Sequence, residues 1–143
     1  MHNVRVINIR DGEELFVTKT IYDKETGLPR WKQTRLNGML HAPPDGEPSE
    51  IHYDNEGRER DRFWHYENLE HREGAPSSTL LNPDTGSVLL AQFRIHGQPR
   101  PAEAGPFRMR YDSDGKLLGV HEARDSDFFP DETIELQKKR LDM

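Results

Sequence analysis

The stretch Trp64–Gly86, WHYENLEHREGAPSSTLLNPDTG, decides the fold because its spacings recur on both sides of it. Read alone, it predicts a strand, a tight turn, a loop with glycine and proline, a second strand and another turn. Its last residue belongs to a series of turn glycines spaced thirty, twenty-nine and twenty-nine residues apart: Gly27, Gly57, Gly86 and Gly115. A second series follows at a constant offset of eleven residues: Gly38, Asn68 and Gly97. We interpret this pattern as an internal repeat of about thirty residues.

The substitution at Asn68 supports this interpretation. Asn is the non-glycine residue that most readily accepts the left-handed backbone that a tight turn requires. Three residues after the second series come His41, His71 and Arg100, and each is followed by a glycine and a proline. Consecutive hairpins joined by short connections form a meander. The repeat therefore predicts successive antiparallel hairpins.

Composition favours a thin sheet. Hydrophobic residues make up 32% of the chain, against about 45–50% in typical globular domains. The 2 Trp, 4 Tyr and 6 Phe argue against disorder. We predict one mainly β domain over residues 1–143: an antiparallel meander of about nine strands built from hairpin repeats, with a short C-terminal α-helix. Within it, residues 1–13 form an N-terminal strand and turn, residues 14–121 the repeats, and residues 122–143 an acidic link and the helix.

The predicted helix runs from about residue 130 to residue 140. Acidic residues at Asp131 and Glu132 and basic residues at Lys138–Arg140 suit the two ends of the helix dipole. Four apolar residues of this region could cap the open end of the sheet, as terminal units of repeat proteins must: Phe128, Phe129, Ile134 and Leu141. The alternative is a frayed tail.

The repeat also predicts which side chains share a face, because side chains alternate along a strand. Residues seven and nine positions after the first-series glycines form a more apolar column: Thr34, Leu36, Trp64, Tyr66, Phe93 and Ile95. Residues six and eight positions after them form a column that we expect to be solvated: Gln33, Arg35, Phe63, His65, Gln92 and Arg94. Exposed aromatic and arginine side chains are enriched at protein-protein hot spots. The candidate partner-binding residues are therefore Trp31, Arg35, Phe63, His65, Gln92 and Arg94. The alternative is that these side chains only cover the sheet or lie against the C-terminal helix.

The segments Leu69–Pro76, LEHREGAP, and Leu40–Pro48, LHAPPDGEP, resemble the MORN-variant repeats of bacterial and phage proteins. Those repeats have the pattern Gly-x-Leu-His-Arg-x-x-Gly-Pro-Ala after an aromatic residue, and the resemblance covers about residues 14–121. Only the second unit keeps His-Arg, and Arg100 replaces the histidine in the third. The resemblance implies a repeat scaffold in which His41 and His71 brace a loop. It also implies an immunity, antitoxin or anti-defence role, and a link to lipids through eukaryotic relatives.

No residue pattern in the chain points to catalysis. His52 and His65 lie on polar faces without a paired ligand at His-x-x-x-His spacing. The aspartates cluster at turns, where they bond to their own backbone, and the glycines punctuate hairpins instead of opening helices. We predict no catalytic residue, no metal ligand set and no cofactor. A metal-dependent hydrolase using His52 or His65 is kept as an alternative.

Charge and cysteine content narrow the partners. The chain has 26 acidic and 20 basic residues, a net charge of −6 and no cysteine. This balance weighs against nucleic acid and against anionic membranes. The absence of cysteine and of a signal-peptide pattern at the start suits a cytoplasmic protein.

The predicted function is a non-enzymatic protein-binding module that neutralises a toxin, an effector or a host defence complex by steric occlusion. Its open sheet edges could add a strand from a partner or pair in a homodimer. A membrane-surface scaffold is the other alternative.

Overall fold

The computed structural model describes residues 2–140, and the side chains of residues 4–140. Leu141, one of the residues expected to cap the sheet, lies outside this range. The strands are β1 (His2–Asp11), β2 (Glu14–Asp23), β3 (Pro29–Leu36), β4 (Met39–Leu40), β5 (Glu50–Tyr53), β6 (Glu59–Phe63), β7 (His65–Tyr66), β8 (Leu69–Glu70), β9 (Ser78–Leu81), β10 (Val88–Gln92), β11 (Arg94–Ile95), β12 (Gln98–Pro99), β13 (Arg108–Tyr111) and β14 (Leu117–His121).

The architecture is mainly β, as the repeat predicts, with 46% of the residues in strands. The main sheet is an antiparallel meander of nine strands in the order β1-β2-β3-β5-β6-β9-β10-β13-β14, with β4 added to β3. Two further hairpins, β7–β8 and β11–β12, pair separately. Short 3₁₀ turns lie at Ala102–Ala104 and Asp125–Asp127, and the α-helix α1 spans Asp131–Lys138.

Both series of turns adopt the conformation that their residues predict. The φ angles of Gly27, Gly57, Gly86 and Gly115 are 72°, 80°, 77° and 85°. In the second series, both central residues of each turn are left-handed, which is the type I′ geometry that matches the twist of a hairpin. Asn68 has a φ of 71°, next to Glu67 at 46°. The prediction that Asn replaces glycine in this turn is confirmed.

The small hairpins of successive units bond to one another beside the main sheet. The Asn68 amide donates to the Leu40 carbonyl at 2.9 Å, and the Gly97 amide donates to the Glu70 carbonyl at 2.9 Å. Each hairpin turn is thereby held by the hairpin of the preceding unit. The repeat thus builds two structures side by side, the main sheet and a stack of hairpin turns next to it.

The core is thin and mixes apolar with polar side chains. Its buried hydrophobic residues are Phe16, Leu36, Leu40, Ile51, Trp64, Leu69, Leu81, Ala91 and Phe107. Its buried polar residues are Thr18, Gln33, Thr34, Ser49, His65, Asn68, Ser77, Ser78 and Thr79. Some of the polar members pair between neighbouring strands, as in the 2.8 Å hydrogen bond between the hydroxyls of Thr18 and Thr34, whereas the Thr79 hydroxyl has no partner among the described residues.

The expected division into an apolar and a solvated column is wrong at three positions. Gln33 and His65 are only 6% and 8% exposed, whereas Tyr66 of the apolar column is 44% exposed. Strand β6 of the main sheet ends at Phe63, and the chain turns into the small hairpin β7–β8. The alternation of a flat strand therefore does not continue from Phe63 to Tyr66.

The C-terminal helix forms where its charge pattern predicts, but it does not cap an end of the sheet. Its main contact is with β8, whereas the sheet ends at β1 and β14. A Cβ atom built on Gly97 would lie 3.1 Å from Cδ1 of Ile134. Upstream of the helix, the amide of Phe129 donates to Gln98 Oε1 at 2.7 Å. The segment is therefore docked over the second and third units, and Phe128 stays 40% exposed.

Candidate functional site

The strand register places most of the sequence-predicted candidates on one face of the main sheet. Directly paired residues run across six strands in one row, which we call the open row: Ile21, Trp31, His52, Asp61, Leu80 and Leu90. The adjacent row of paired residues contains Lys19, Gln33, Glu50, Phe63, Ser78, Gln92 and Arg108. Trp31, Phe63 and Gln92 therefore share a face, as predicted.

The carboxylate of Glu50 organises the part of this face around Trp31. It accepts hydrogen bonds from Trp31 Nε1 at 3.1 Å and from Gln33 Nε2 at 2.6 Å, and His52 Nε2 lies 3.6 Å away. Burial alone would raise the pKa of Glu50, but hydrogen bonds from His52 and Gln33 outweigh it and hold the pKa at about 2. Glu50 is therefore ionised at neutral pH, and it fixes the orientation of the Trp31 ring.

His52 lies between two carboxylates. Its Nδ1 is 2.6 Å from Asp61 Oδ1, opposite the contact with Glu50. The bond to Glu50 raises the pKa of His52, burial opposes this, and the charge of Asp61 adds to the increase. The arrangement Asp61–His52–Glu50 thus favours an imidazolium flanked by two anions. It supplies fixed charges in the middle of the open row.

His65 forms a buried pair with Ser49. The Ser49 hydroxyl lies 2.7 Å from His65 Nδ1, and burial lowers the pKa of His65 to about 4, so the ring is neutral at pH 7. Ser49 is only 1% exposed, and its hydroxyl is closed to a substrate. We assign the pair a structural role in the core.

Gln92 and Arg94 line a polar recess between the sheet and the C-terminal segment. Its volume is about 370 Å³, and it is lined by His65, Asn68, Glu70, Gln92, Arg94, Gly97, Arg108, Phe129, Gln137 and Arg140. The Arg94 guanidinium lies 4.9 Å from the ring of Phe107 and 5.1 Å from that of Phe129. Burial lowers the pKa of Arg94, and the charge of Glu70 counteracts this. The end of the face that we expected to be solvated is therefore covered by the C-terminal segment. This agrees with the alternative that these side chains lie against the helix segment.

Arg35 and Arg94 have the same local role in their units. Arg35 Nη1 donates to the Gly38 carbonyl at 2.9 Å, and Arg94 Nη1 donates to the Gly97 carbonyl at 3.1 Å. Each guanidinium thus braces the type I′ turn of its own hairpin.

The structure separates the six candidates accordingly. Trp31 and Phe63 are partly exposed on the sheet, Arg35 and Arg94 brace turns, Gln92 is held inside the recess, and His65 is buried.

A ladder of rings along the small hairpins was not predicted. Ring centroids are 5.8 Å apart for Phe16 and His41, 4.6 Å for His41 and Tyr66, 5.8 Å for Tyr66 and His71, and 4.1 Å for His71 and His96. The equivalent positions of His41 and His71 could have indicated part of it. The ladder also needs Tyr66 to be exposed, which depends on the twist of the hairpin.

The repeated histidines brace the turn of the following unit. The His96 amide donates to His71 Nδ1 at 2.9 Å, and the Glu67 amide donates to His41 Nδ1 at 3.4 Å. Arg100, the third-unit replacement, instead stacks 3.8 Å over Phe93. In the second unit the corresponding stacking is made by Arg72, 3.9 Å over Trp64. Arg100 therefore takes the role of the arginine of the second unit and not that of its histidine.

Within residues 2–140, no group of three or more His, Asp or Glu residues has the geometry to hold a metal ion. No helix in this range has the length and apolar character needed to span a bilayer.

No family model, curated protein or solved structure matches the chain. The resemblance to MORN-variant repeats thus stays a prediction that rests on the residues quoted above.

Proposed function

We propose that this chain is a non-enzymatic protein-binding module that neutralises a partner protein by steric occlusion. The observation that carries the proposal is the open row, in which apolar side chains flank the fixed charges of His52 and Asp61. Leu80, at the centre of the sheet, is 40% exposed, whereas the C-terminal segment covers the neighbouring end of the same face. The open row thus presents one exposed side chain, Leu80, among neighbours that are partly exposed.

The chemistry of this face supports recognition of a protein. Trp31 is of a residue type that dominates binding hot spots, and Phe63 is of a type enriched at interfaces. The Trp31 ring is held by Glu50 before any partner arrives. A partner that docks on preordered side chains loses little conformational entropy. The net charge of −6 favours a partner with a basic surface. The resemblance to bacterial and phage repeat proteins supports a toxin, an effector or a defence complex as that partner.

The decisive substitution is Leu80→Glu, because Leu80 is exposed and its strand β9 pairs with β6 on one side and with β10 on the other. Immobilised wild-type protein is expected to retain a partner in stoichiometric amount from lysate of the host, and Leu80→Glu is expected to reduce retention at least ten-fold. The matched control is Leu136→Glu, since Leu136 is 71% exposed on the helix. Arg35 and Arg94 are unsuitable for this test because both brace turns. Equal retention by the two variants would remove the open row from the proposal.

Two further measurements separate the alternatives. Wild-type protein that floats with anionic vesicles at low salt, and retains no protein, would support the membrane-surface scaffold. Stoichiometric zinc or manganese in the purified protein would support the metal-dependent hydrolase. Either result would contradict the proposed module.

Strand addition at an edge is a second mode of association for the same module. Val4, Val6 and Ile7 of the edge strand β1 are 51%, 55% and 44% exposed. Leu117, Leu118 and Val120 of the opposite edge strand β14 are 47%, 57% and 54% exposed. An edge strand with apolar side chains and unpaired backbone groups is a template for another strand. We propose that the homodimer, where it forms, uses β1, because its 10 residues offer a longer edge than the 5 residues of β14.

A further inference from the structure

We propose that the polar recess under the C-terminal segment binds a phosphate group. The recess is formed by side chains of the sheet, of the small hairpins and of the helix segment, so it exists only when the C-terminal segment is docked. This inference is independent of the open row.

Most side-chain acceptors that line the recess are already engaged, although Gln137 Oε1 accepts no hydrogen bond within the described residues. The Glu70 carboxylate accepts from the Ser77 hydroxyl at 2.7 Å and from Gln92 Nε2 at 3.0 Å. The Gln92 carbonyl accepts from Arg108 Nε at 2.8 Å. The Asn68 carbonyl accepts from the Leu40 amide at 2.8 Å. What the recess mainly offers a ligand is therefore hydrogen-bond donors.

Donors remain in excess. Arg108 uses its Nε on Gln92, and Arg94 uses its Nη1 on the Gly97 carbonyl. Among the described residues, no hydrogen-bond acceptor engages the two Nη groups of Arg108, Nη2 of Arg94, the Arg140 guanidinium or the Gln137 amide. None of these donors is a buried atom without a partner, and Arg140 is exposed, so water satisfies them until a ligand binds. An anion with several oxygens satisfies them together.

The charge of the recess is opposite to that of the chain. Three guanidiniums face one carboxylate, Glu70, and His65 is neutral at pH 7 because burial lowers its pKa. The pKa of Asp127 is lowered chiefly by the hydrogen bond from the Arg124 amide, then by His121, with a smaller contribution from the charge of Arg108. Its Oδ2 lies 3.0 Å from His121 Nε2 and accepts from the Arg124 amide at 2.9 Å. When Asp127 is counted with Glu70, the three guanidiniums still outnumber the carboxylates among the described residues at the recess. The recess is therefore positive within a protein of net charge −6.

The shape and donor type favour phosphate on a small molecule. A volume of about 370 Å³ lies in the range of about 300–1,000 Å³ that is usual for small-molecule pockets. A guanidinium fork matches two oxygens of one phosphate. The ring of Phe129 at the wall offers an apolar surface to the rest of the molecule.

Calorimetry with inorganic phosphate and with glycerol 3-phosphate at low salt tests the proposal. We expect saturable binding that weakens at least ten-fold in the double variant Arg108→Gln/Arg140→Gln. The control Arg10→Gln/Lys24→Gln removes the same charge from exposed positions elsewhere, and its affinity is expected to stay within two-fold. Gln137→Glu places a carboxylate in the recess without removing an arginine, and it is expected to weaken binding similarly.

Vesicles that contain phosphatidic acid distinguish a soluble ester from a lipid head group. Capture that glycerol 3-phosphate displaces would place the phosphate on a lipid, and absence of capture with intact soluble binding would place it on a soluble ester; both support the recess. Absence of saturable binding to every probe would overturn the proposal. Equal affinity of wild type, the arginine double variant and Gln137→Glu would do so as well.

Discussion

Asn68 is the residue at which three parts of the chain meet. Its backbone forms a left-handed turn, its carbonyl oxygen accepts from the Leu40 amide, and its amide nitrogen donates to the carbonyls of Lys138 and Arg140. The repeat spacing predicts the turn, because Asn tolerates a positive φ. The three hydrogen bonds could not be predicted, since two of them depend on where the C-terminal segment docks.

Substitution of Asn68 separates these roles. Asn68→Gly keeps the turn but removes the acceptor of the buried Leu40 amide, so we expect a loss of about 1–3 kcal/mol in the free energy of unfolding. Asn68→Ala should lose about 1–2 kcal/mol more because of its left-handed φ. Asn37→Gly, at the equivalent exposed turn, should leave stability nearly unchanged. Urea unfolding measures all three, and equal stability of Asn68→Gly and Asn37→Gly would contradict the assigned bonds.

His65 links stability to pH through its buried ring. Its pKa is about 4 in the folded chain, against 6.5 for an ordinary histidine. The unfolded chain binds more protons between these values, so stability is full above about pH 6.5 and falls as the pH drops towards 4, by an amount on the order of 3 kcal/mol. His52, whose pKa is raised, acts in the opposite sense. Thermal unfolding from pH 7 to pH 4.5 should show a smaller decline in His65→Gln than in wild type, and parallel profiles would contradict the assignment.

The C-terminal segment is the element that changes the sequence-based interpretation most. Its charge pattern predicts a helix at residues 130–140, and the helix spans Asp131–Lys138. Its docking site could not be predicted, because its apolar residues suit any hydrophobic surface of the repeats. The exposure of Gln92 and Arg94 depends on that site, and the burial of His65 depends on the turn into β7–β8. The spacing of residues along the sequence specifies neither property.

Two glycines isolate the contribution of this docking. Gly38 and Gly97 occupy equivalent turns with φ angles of 83° and 81°, so alanine at either position incurs the same backbone cost of about 1–2 kcal/mol. A Cβ atom at Gly38 meets nothing within 4 Å, whereas one at Gly97 would press on Ile134 and Leu69. Gly97→Ala should therefore destabilise the protein more than Gly38→Ala in urea unfolding.

A double-mutant cycle identifies the cause of that difference. In an Ile134→Ala background, the excess cost of Gly97→Ala over Gly38→Ala should shrink, because the side chain that the new Cβ meets has been removed. An excess that persists unchanged would place its origin outside the helix contact.

At the scale of the whole molecule, the periodicity predicts the architecture well. Turn glycines at regular intervals specify where strands end, and alternation then specifies nine strands in sequential order, which the main sheet shows. The small hairpins that leave the sheet were not distinguished from its strands, because β7 and β11 have only two residues each. Strands so short leave no alternation to interpret.

The exposed edges of this sheet determine how molecules associate. Val6 is 55% exposed at the centre of β1, and a charged side chain on an edge strand prevents edge-to-edge pairing. At high concentration and moderate salt, which screens the net charge of −6, wild type should form dimers by analytical ultracentrifugation. Val6→Lys should remain monomeric, and the control Leu136→Lys should dimerise like wild type. Dimers of Val6→Lys would exclude β1 as the interface.

The bond from Asn68 to Lys138 joins positions 70 residues apart, and it has a mechanical consequence. Tension applied at the C-terminus is carried first by α1 and by its attachments to Asn68 and Gln98. The terminal strand β14 bears no load until these have released. We therefore expect the segment to detach from Asn68 and Gln98 before the strands of the sheet begin to separate.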